Sequence, residues 1–335
     1  MSQCSAAIMG VEGSVLTAAE ADFFRMANPW GFILFARNVI DPAQLRRLAS
    51  DLRGSVGRNA PILIDQEGGR VQRLTAPHWH QHLPPLDQAE WAGAAAQRAM
   101  WLRGRLIAHE LRGCGIDVNC APCADLASDS THVFLRNRCY GSDVATVVKN
   151  ARAMADGQFS GGVLPVLKHI PGHGRATVDS HKNLPRVSAS RQTLKETDFA
   201  SFRALSDLPM AMTAHIVFED IDPAHPATQS AVMTDLIRNE IGFGGLLISD
   251  DISMQALSGD VATRSRASIA AGCDLVLHCN GDLAEMKLVV EAAGDMSDAA
   301  ETLAQKALLL RQVPDPIDIK AARAELQSLS MAKQG

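Results

Sequence analysis

The sequence has no block of like charges and no excess of basic residues. Its 32 Lys and Arg stand against 37 Asp and Glu, for a formal net charge of −5 over 335 residues. A nucleic-acid binder usually shows a basic stripe, so no nucleic-acid partner is expected. No apolar run approaches the roughly 20 residues of a membrane span, and Met1 to Gly13 has no cationic stretch ahead of its short apolar segment. The expectation is a cytoplasmic protein without a membrane partner. Linkers rich in Pro, Gly or Ser, low-complexity tracts and short internal repeats are also missing, which argues against separately tethered domains. The seven cysteines (Cys4, Cys114, Cys120, Cys123, Cys139, Cys273, Cys279) are odd in number and scattered, which fits reduced thiols. Cys120-Ala-Pro-Cys123 has no second pair of its kind. It lies in the apolar run Asp117 to Leu126, where strand alternation buries both thiols, so core packing accounts for it better than redox or zinc chemistry.

What is present is a sizeable core, with 47% hydrophobic and 21% charged residues. Eight short apolar runs recur: Ala6 to Val11, Gly31 to Arg37, Pro61 to Glu67, Asp117 to Leu126, Leu164 to His169, Pro209 to His215, Gly245 to Asp251 and Asp274 to Cys279. Each is followed by a stretch of helical periodicity. Asp41-Pro42 opens one such helix with an N-cap and a first-position proline, and Leu45, Leu48 and Leu52 repeat on one face. Thr234 is expected to cap another, with Ile237 and Ile241 inward and Gly242 at its end. Strands alternating with helices and lacking hairpin signals argue for a parallel sheet, and eight units predict an α/β fold, a single (β/α)8 TIM-type barrel. The whole chain, 1–335, is read as one barrel domain. A proline-interrupted stretch after Arg311 leads into a helical tail at about 312–335, with its helix predicted over Lys320 to Leu329.

The run ends carry Arg37, Asp65 with Glu67, Asp125, Lys168 with His169, His215, Asp250 with Asp251, and His278. In a closed parallel barrel these positions form the C-terminal mouth, where active sites are built. The connection after the fifth run, Lys168 to His181, holds three histidines, an aspartate and two glycines, and is too polar for core. Asp179 and His181, two apart, could form an acid/base pair, or belong to a solvated loop with local hydrogen bonds. Asp250-Asp251 emerges from an apolar strand. Adjacent carboxylates repel, and alternation points only one into the mouth, so either a catalytic role or a helix N-cap, most simply Asp251, accounts for them. Asp65-Gln-Glu-Gly-Gly-Arg-Val-Gln-Arg73 reads as a ligand-binding loop or as an internal salt-bridge cluster. His78-Trp-His80-Gln-His82 has the look of a metal-ligand cluster on a barrel hydrolase. It lies between Pro77 and Pro84 without an acid at a convincing spacing, and a surface loop is the expectation.

Four ordered motifs carry a family likeness: Asp65-Gln-Glu-Gly-Gly-Arg-Val-Gln-Arg, Lys168-His-Ile-Pro-Gly-His-Gly, Asp179-Ser-His-Lys-Asn-Leu-Pro and Ser249-Asp-Asp-Ile-Ser-Met. Together they resemble glycoside hydrolase family 3 β-N-acetylglucosaminidases of the cytoplasmic type. The likeness runs from about the first strand to the eighth and includes Thr213-Ala-His-Ile-Val-Phe and Thr234-Asp-Leu-Ile-Arg-Asn-Glu-Ile-Gly-Phe. It implies Asp250 as nucleophile, His181 as general acid/base and Asp179 as its partner. It also implies that Asp65, Arg73, Lys168 and His169 bind the terminal N-acetylglucosamine. A further sugar-binding arginine falls best on Arg138, in Asn137-Arg-Cys-Tyr140, with Arg136 a nearby competitor because relatives more often read Asp-Arg-Ser-Phe. Ile170 replaces the family's usual phenylalanine, a packing change.

The implied chemistry is physically coherent. Retaining glycosidases commonly use two carboxyl groups, and here a histidine takes the second role. With a reference pKa near 6.5, an imidazolium favoured by Asp179 can protonate the leaving group, and the neutral ring can then activate water to release sugar from Asp250. The implied activity is that of a retaining exo-β-N-acetylglucosaminidase with no metal and no cofactor. Its small-molecule carbohydrate substrate would be a muropeptide or anhydro-disaccharide from peptidoglycan recycling, and a monomer is the default. A noncatalytic sugar-binding barrel is the rival reading, and the retained Asp250 and His181 speak against it.

Overall fold

A computed structural model describes residues 3–129, 131–176 and 184–331. Eight parallel strands form its centre: β1 (Ser5–Gly10), β2 (Pro29–Leu34), β3 (Ile62–Ile64), β4 (Val118–Asn119), β5 in two runs (Leu164–Pro165 and Leu167–Ile170), β6 (Met210–Thr213), β7 (Leu246–Asp251) and β8 (Leu275–His278). Each falls within or beside one of the eight apolar runs. The chain alternates strand and helix, so every strand is covered by helix outside and by its neighbours within the barrel. Both faces are therefore buried, and the strands read as continuous apolar stretches rather than as alternating ones.

Pairing runs β1–β2, β2–β3, β3–β4 and on to the first run of β5, with Val118 opposite Leu164. The second run of β5 pairs with β6, β6 with β7, β7 with β8, and β8 returns to β1 with Ala7 opposite Val276. Val166 divides β5 between its two neighbours, and because both runs are one strand, the circuit closes as a (β/α)8 barrel.

Local sequence explains the helices that set this register. The helix Pro42–Val56 starts where Asp41 accepts hydrogen bonds from the Ala43 and Gln44 amides. It buries Leu45, Leu48 and Leu52, and it ends at Gly57 with φ +63°. The expected cap at Thr234 is corrected. The helix begins earlier, at Ala231–Asp235, where the Ser230 hydroxyl accepts from the Met233 amide, and Thr234 lies buried inside it. Ser230 offers the same capping chemistry one turn upstream, and a wider turn over Leu236–Glu240 then carries the chain to Gly242. The tail forms a helix, Ile319–Met331, whose Ala322 and Leu326 pack against Ala99, Leu102 and Leu106 of the helix Ala96–Gly113. Among the described residues no helix is long and apolar enough to cross a membrane.

Candidate active site

The C-terminal strand ends surround a cavity of about 220 Å³. Its first wall follows β3, where Asp65 leads into a short antiparallel hairpin, Gln66–Gly68 with Val71–Gln72. Gly68 has φ +100°, and a Cβ there would sit 2.0 Å from Arg103 Nη2, so the position requires glycine. The buried Arg103 clamps the hairpin by donating to the Glu67 carbonyl from Nε (3.1 Å) and Nη2 (2.5 Å). Burial lowers this guanidinium to about 10.

The hairpin and β5 together hold an ion network. Lys168 Nζ lies 2.9 Å from Asp65 Oδ1 and 2.6 Å from Glu67 Oε1. Arg73 Nη2 donates to Asp65 Oδ2 at 3.0 Å, and Arg138 grips Glu67 bidentately at 2.8 and 2.9 Å. Burial would raise the Asp65 carboxyl, but Lys168 and Arg73 hold it well below the usual carboxylate range. Glu67, likewise pushed up by burial, is brought down to about 2 by Arg138 and Lys168. Burial opposes the charge on Lys168, and Asp65 and Glu67 overcome it, so the ammonium is held above its ordinary range.

Behind this network, His169 Nδ1 lies 2.8 Å from Asp125 Oδ2 and its Nε2 lies 3.2 Å from Arg138 Nη2. A guanidinium can only donate, so the hydrogen-bond pattern assigns Nε2 as acceptor and places the ring proton on Nδ1. Asp125 Oδ1 also accepts from the His173 amide at 2.6 Å. Burial would raise Asp125, and its contacts with His169 and His173 bring it instead to about 2. Burial, then His169, lowers His173 to about 4.

The opposite wall is the end of β7. Asp250 and Asp251 both line the cavity but have different surroundings. Asp251 is tied to backbone: its Oδ1 accepts from the Ser253 and Cys279 amides (3.0 and 3.2 Å), and its Oδ2 accepts from Ser253 Oγ at 2.6 Å. It caps this turn, whereas the following helix Val261–Ala270 is capped by Asp260. Asp250 Oδ1 accepts only the Asp251 amide (2.8 Å), and Oδ2 accepts no hydrogen bond from the described residues. Burial raises the Asp250 carboxyl, yet His215, His169 and the Asp251 amide together bring it below its ordinary value. The site thus presents an ionised carboxylate with an open oxygen, facing a rigid array of donors.

Of the residues expected from sequence, Asp65, Arg73, Arg138, Lys168, His169 and Asp250 line this one cavity. Asp179 and His181 lie outside the described residues. Arg136 points elsewhere, to the Ser128 carbonyl and Asp129, while Arg138 is buried in the network. Other strand-end groups are structural. Arg37 Nε donates to the Val11 carbonyl at 2.9 Å, His278 pairs with Glu285 at 3.0 Å, and His215 Nε2 braces the Asp251 carbonyl at 2.9 Å. Sequence reading places Glu67 and Asp125 at the barrel mouth and His173 in the Lys168 motif without giving them a role, and it leaves out Phe134. Strand-end position marks Glu67 and Asp125 and motif membership marks His173, whereas Phe134 has no signal beyond lying near Arg138.

The histidine cluster is corrected in part. His78 and His80 are exposed as expected of a surface loop, but His82 is buried, stacked edge-on against His80 with ring centroids 4.7 Å apart. Docking on the hairpin explains it, since the His82 amide donates to Gln72 Oε1 at 3.1 Å and its carbonyl accepts from the Gly69 amide at 2.9 Å. Among the described residues, only Cys123, Asp125 and His169 gather with metal-ligand proximity. Their donor set is already engaged, since Cys123 Sγ donates to Asp125 Oδ2 at 3.1 Å and burial holds its thiol far above the ordinary range. This cluster positions His169. Cys120 and Cys123 are both buried, as alternation expected.

A model of the glycosyl hydrolase family 3 N-terminal domain matches residues 18–309. A β-hexosaminidase of Alkalilimnicola ehrlichii is 38% identical over 282 residues, covering 82% of this chain and 80% of that protein. One from Tolumonas auensis is 32% identical over 301 residues, covering 88% and 89%. Among solved structures, NagZ from Neisseria gonorrhoeae in complex with N-trifluoroacetyl-D-glucosamine superposes with a TM-score of 0.86 at 29% identity, covering 98% of each chain. A glycoside hydrolase family 3 β-N-acetylglucosaminidase from Paenibacillus sp. str. FPU-7 superposes with a TM-score of 0.81 at 28% identity, covering 95% of this chain and 61% of that one.

Proposed function

The chain belongs to glycosyl hydrolase family 3 and is a β-hexosaminidase of the N-acetylglucosaminidase type, and from that premise we propose how its residues carry the reaction and on what substrate. Asp250 is the nucleophile that forms a covalent glycosyl-aspartate. The observation that carries this is its open Oδ2 at the end of β7, held ionised opposite the network built on Asp65 and Glu67. His181, supported by Asp179, protonates the leaving oxygen and then deprotonates water, so the anomeric configuration is retained. Arg73, Arg138, Lys168, Asp65 and His169 bind the terminal N-acetylglucosamine. In the network three cations meet two carboxylates, and Asp250 supplies a third, so the array as a whole is neutral. That balance suits an uncharged polyhydroxyl ring, and a cavity of about 220 Å³ suits one sugar.

We read the substrate as a cell-wall recycling fragment in the cytoplasm, a muropeptide or anhydro-disaccharide, on the motif resemblance and on the likeness to NagZ. The whole chain acts as one barrel domain with a helical tail. The test is a slowly turned-over fluorinated N-acetylglucosaminide, followed by peptide mass spectrometry. Label on Asp250 is expected; label on Asp251, or on no carboxylate, would overturn the assignment. Product analysis with cell-wall fragments, with and without phosphate, tests the substrate and separates hydrolysis from phosphorolysis.

A further inference from the structure

The N-terminal face of the barrel, opposite the active site, holds a second charged cleft of about 540 Å³. Three arginines line it around one carboxylate. Asp117, buried just before β4, receives Arg53 Nη2 on Oδ1 at 3.2 Å and lies 2.9 Å from Arg311 Nη2 on Oδ2. Its Oδ1 is further committed to the Ile62 amide at 2.8 Å. Arg311 Nη2 lacks hydrogen-bonding alignment there, and Arg311 Nε is buried without any partner among the described residues. Arg112 makes no ion pair, ring contact or side-chain hydrogen bond at all among those residues, although it lines the same cleft. One carboxylate thus faces three guanidiniums in a chain whose net charge is negative.

Helix ends explain part of this gathering. Arg53 and Arg112 lie in the last turns of Pro42–Val56 and Ala96–Gly113, where a helix dipole favours cations. Backbone carbonyls take most of the other donors: Arg53 Nε and Nη1 donate to the Ala60 and Gly115 carbonyls at 3.0 and 2.8 Å, and Arg311 Nη1 donates to the Asn59 carbonyl at 3.0 Å, which leaves the exposed Arg112 and Arg311 Nε open. Arg112 bonds no terminal carbonyl, and the partly buried Arg311 feels repulsion from Arg53 and Arg112 that, after burial itself, holds its guanidinium below the ordinary value despite Asp117. An open Arg112 fork beside Arg311 Nε, in a cleft where three guanidiniums outnumber one carboxylate, matches a tetrahedral oxyanion, whose oxygens each accept hydrogen bonds.

We propose that the cleft formed by Arg53, Arg112 and Arg311 around Asp117 is a binding site for a phosphate group, either free or carried as a small phosphomonoester. The occupant bridges the barrel floor to the backbone after Arg311, where Gln312 to Pro314 line the same cleft, and so fastens the start of the tail. Occupancy stabilises the folded chain by mass action without touching the reaction centre.

The experiment is calorimetric titration of the full chain at constant ionic strength, with inorganic phosphate in one arm and uridine monophosphate in the other. Saturable one-to-one binding is expected, and the tighter arm identifies the source. Arg112→Gln should weaken it about tenfold or more, the usual effect of losing a charge-assisted contact, and Arg112→Lys should fall between the two. Arg138→Gln, which alters the sugar cavity, should bind phosphate as the parent does, and Arg112→Gln should keep full kcat/KM on a chromogenic N-acetylglucosaminide. Absence of saturable binding at millimolar ligand, equal binding by Arg112→Gln, or loss of binding in Arg138→Gln would each overturn the proposal.

Discussion

Replacing Glu67 by glutamine keeps the shape of the side chain and removes one charge from the centre of the sugar cavity. The carboxylate is 1% exposed, pairs with Lys168 Nζ at 2.6 Å and accepts twice from Arg138. Its value of about 2, against an ordinary 4.5, corresponds to about 3 kcal/mol of stability at neutral pH, near the lower end of what breaking a buried ion pair costs. The sign follows from the depressed folded value. The stabilisation is fully present above the unfolded pKa near 4.5 and is lost as pH falls through about 2. Urea denaturation of parent and Glu67→Gln should therefore differ by about 3 kcal/mol at pH 7 and by about 2 kcal/mol at pH 3.5, converging further toward acid. The kcat/KM should fall as well, because the amide keeps one acceptor oxygen where the carboxylate served both Arg138 and Lys168 and turns an N–H donor toward one of these cations. A stability difference that stays constant from pH 7 to pH 3.5 would refute the charge argument and leave a packing effect in its place.

Arg138→Gln should lower kcat/KM on a terminal N-acetylglucosaminide by at least about tenfold, whereas Arg136→Gln should change it little; equal losses would remove Arg138 from the sugar site. Because Asp250 is held below its ordinary value near 3.8, kcat/KM should show no acid limb from the nucleophile above about pH 4, and an acid limb near pH 6 abolished by an Asp250 variant would contradict this. His181→Ala should show a pre-steady-state burst with a highly acidic leaving group, then slow turnover that added azide accelerates, with Asp179→Ala a weaker version; loss of activity independent of leaving group and of azide would remove His181 from the acid/base role.

Much of this protein was legible along the chain because its signals are local. Apolar runs of strand length, N-caps such as Asp41 and closing glycines depend on neighbours a few residues away, and eight βα repeats leave a closed barrel as the natural solution. Polar residues at strand ends could be collected for the same reason. Where a choice lay between equally suitable neighbours, the local signal failed. Ser230 and Thr234 are both good caps, and only packing decided that Thr234 would be buried and Ser230 would open the helix.

The sequence by itself determined the strand count, the mouth of the barrel and the family motifs, since each rests on residue type and spacing. Tertiary structure alone decided which charges meet. Glu67 and Arg138 are 71 residues apart, Asp65 and Lys168 are 103 apart, and Arg53 reaches from the helix Pro42–Val56 to Asp117 just before β4. It also separated Arg138 from Arg136 and the open Asp250 from the backbone-bound Asp251, pairs whose members are alike in chemistry and close in sequence. The reason is physical. The Coulomb energy and desolvation of an ion depend on distance and burial in space, and chain spacing fixes neither until the barrel closes.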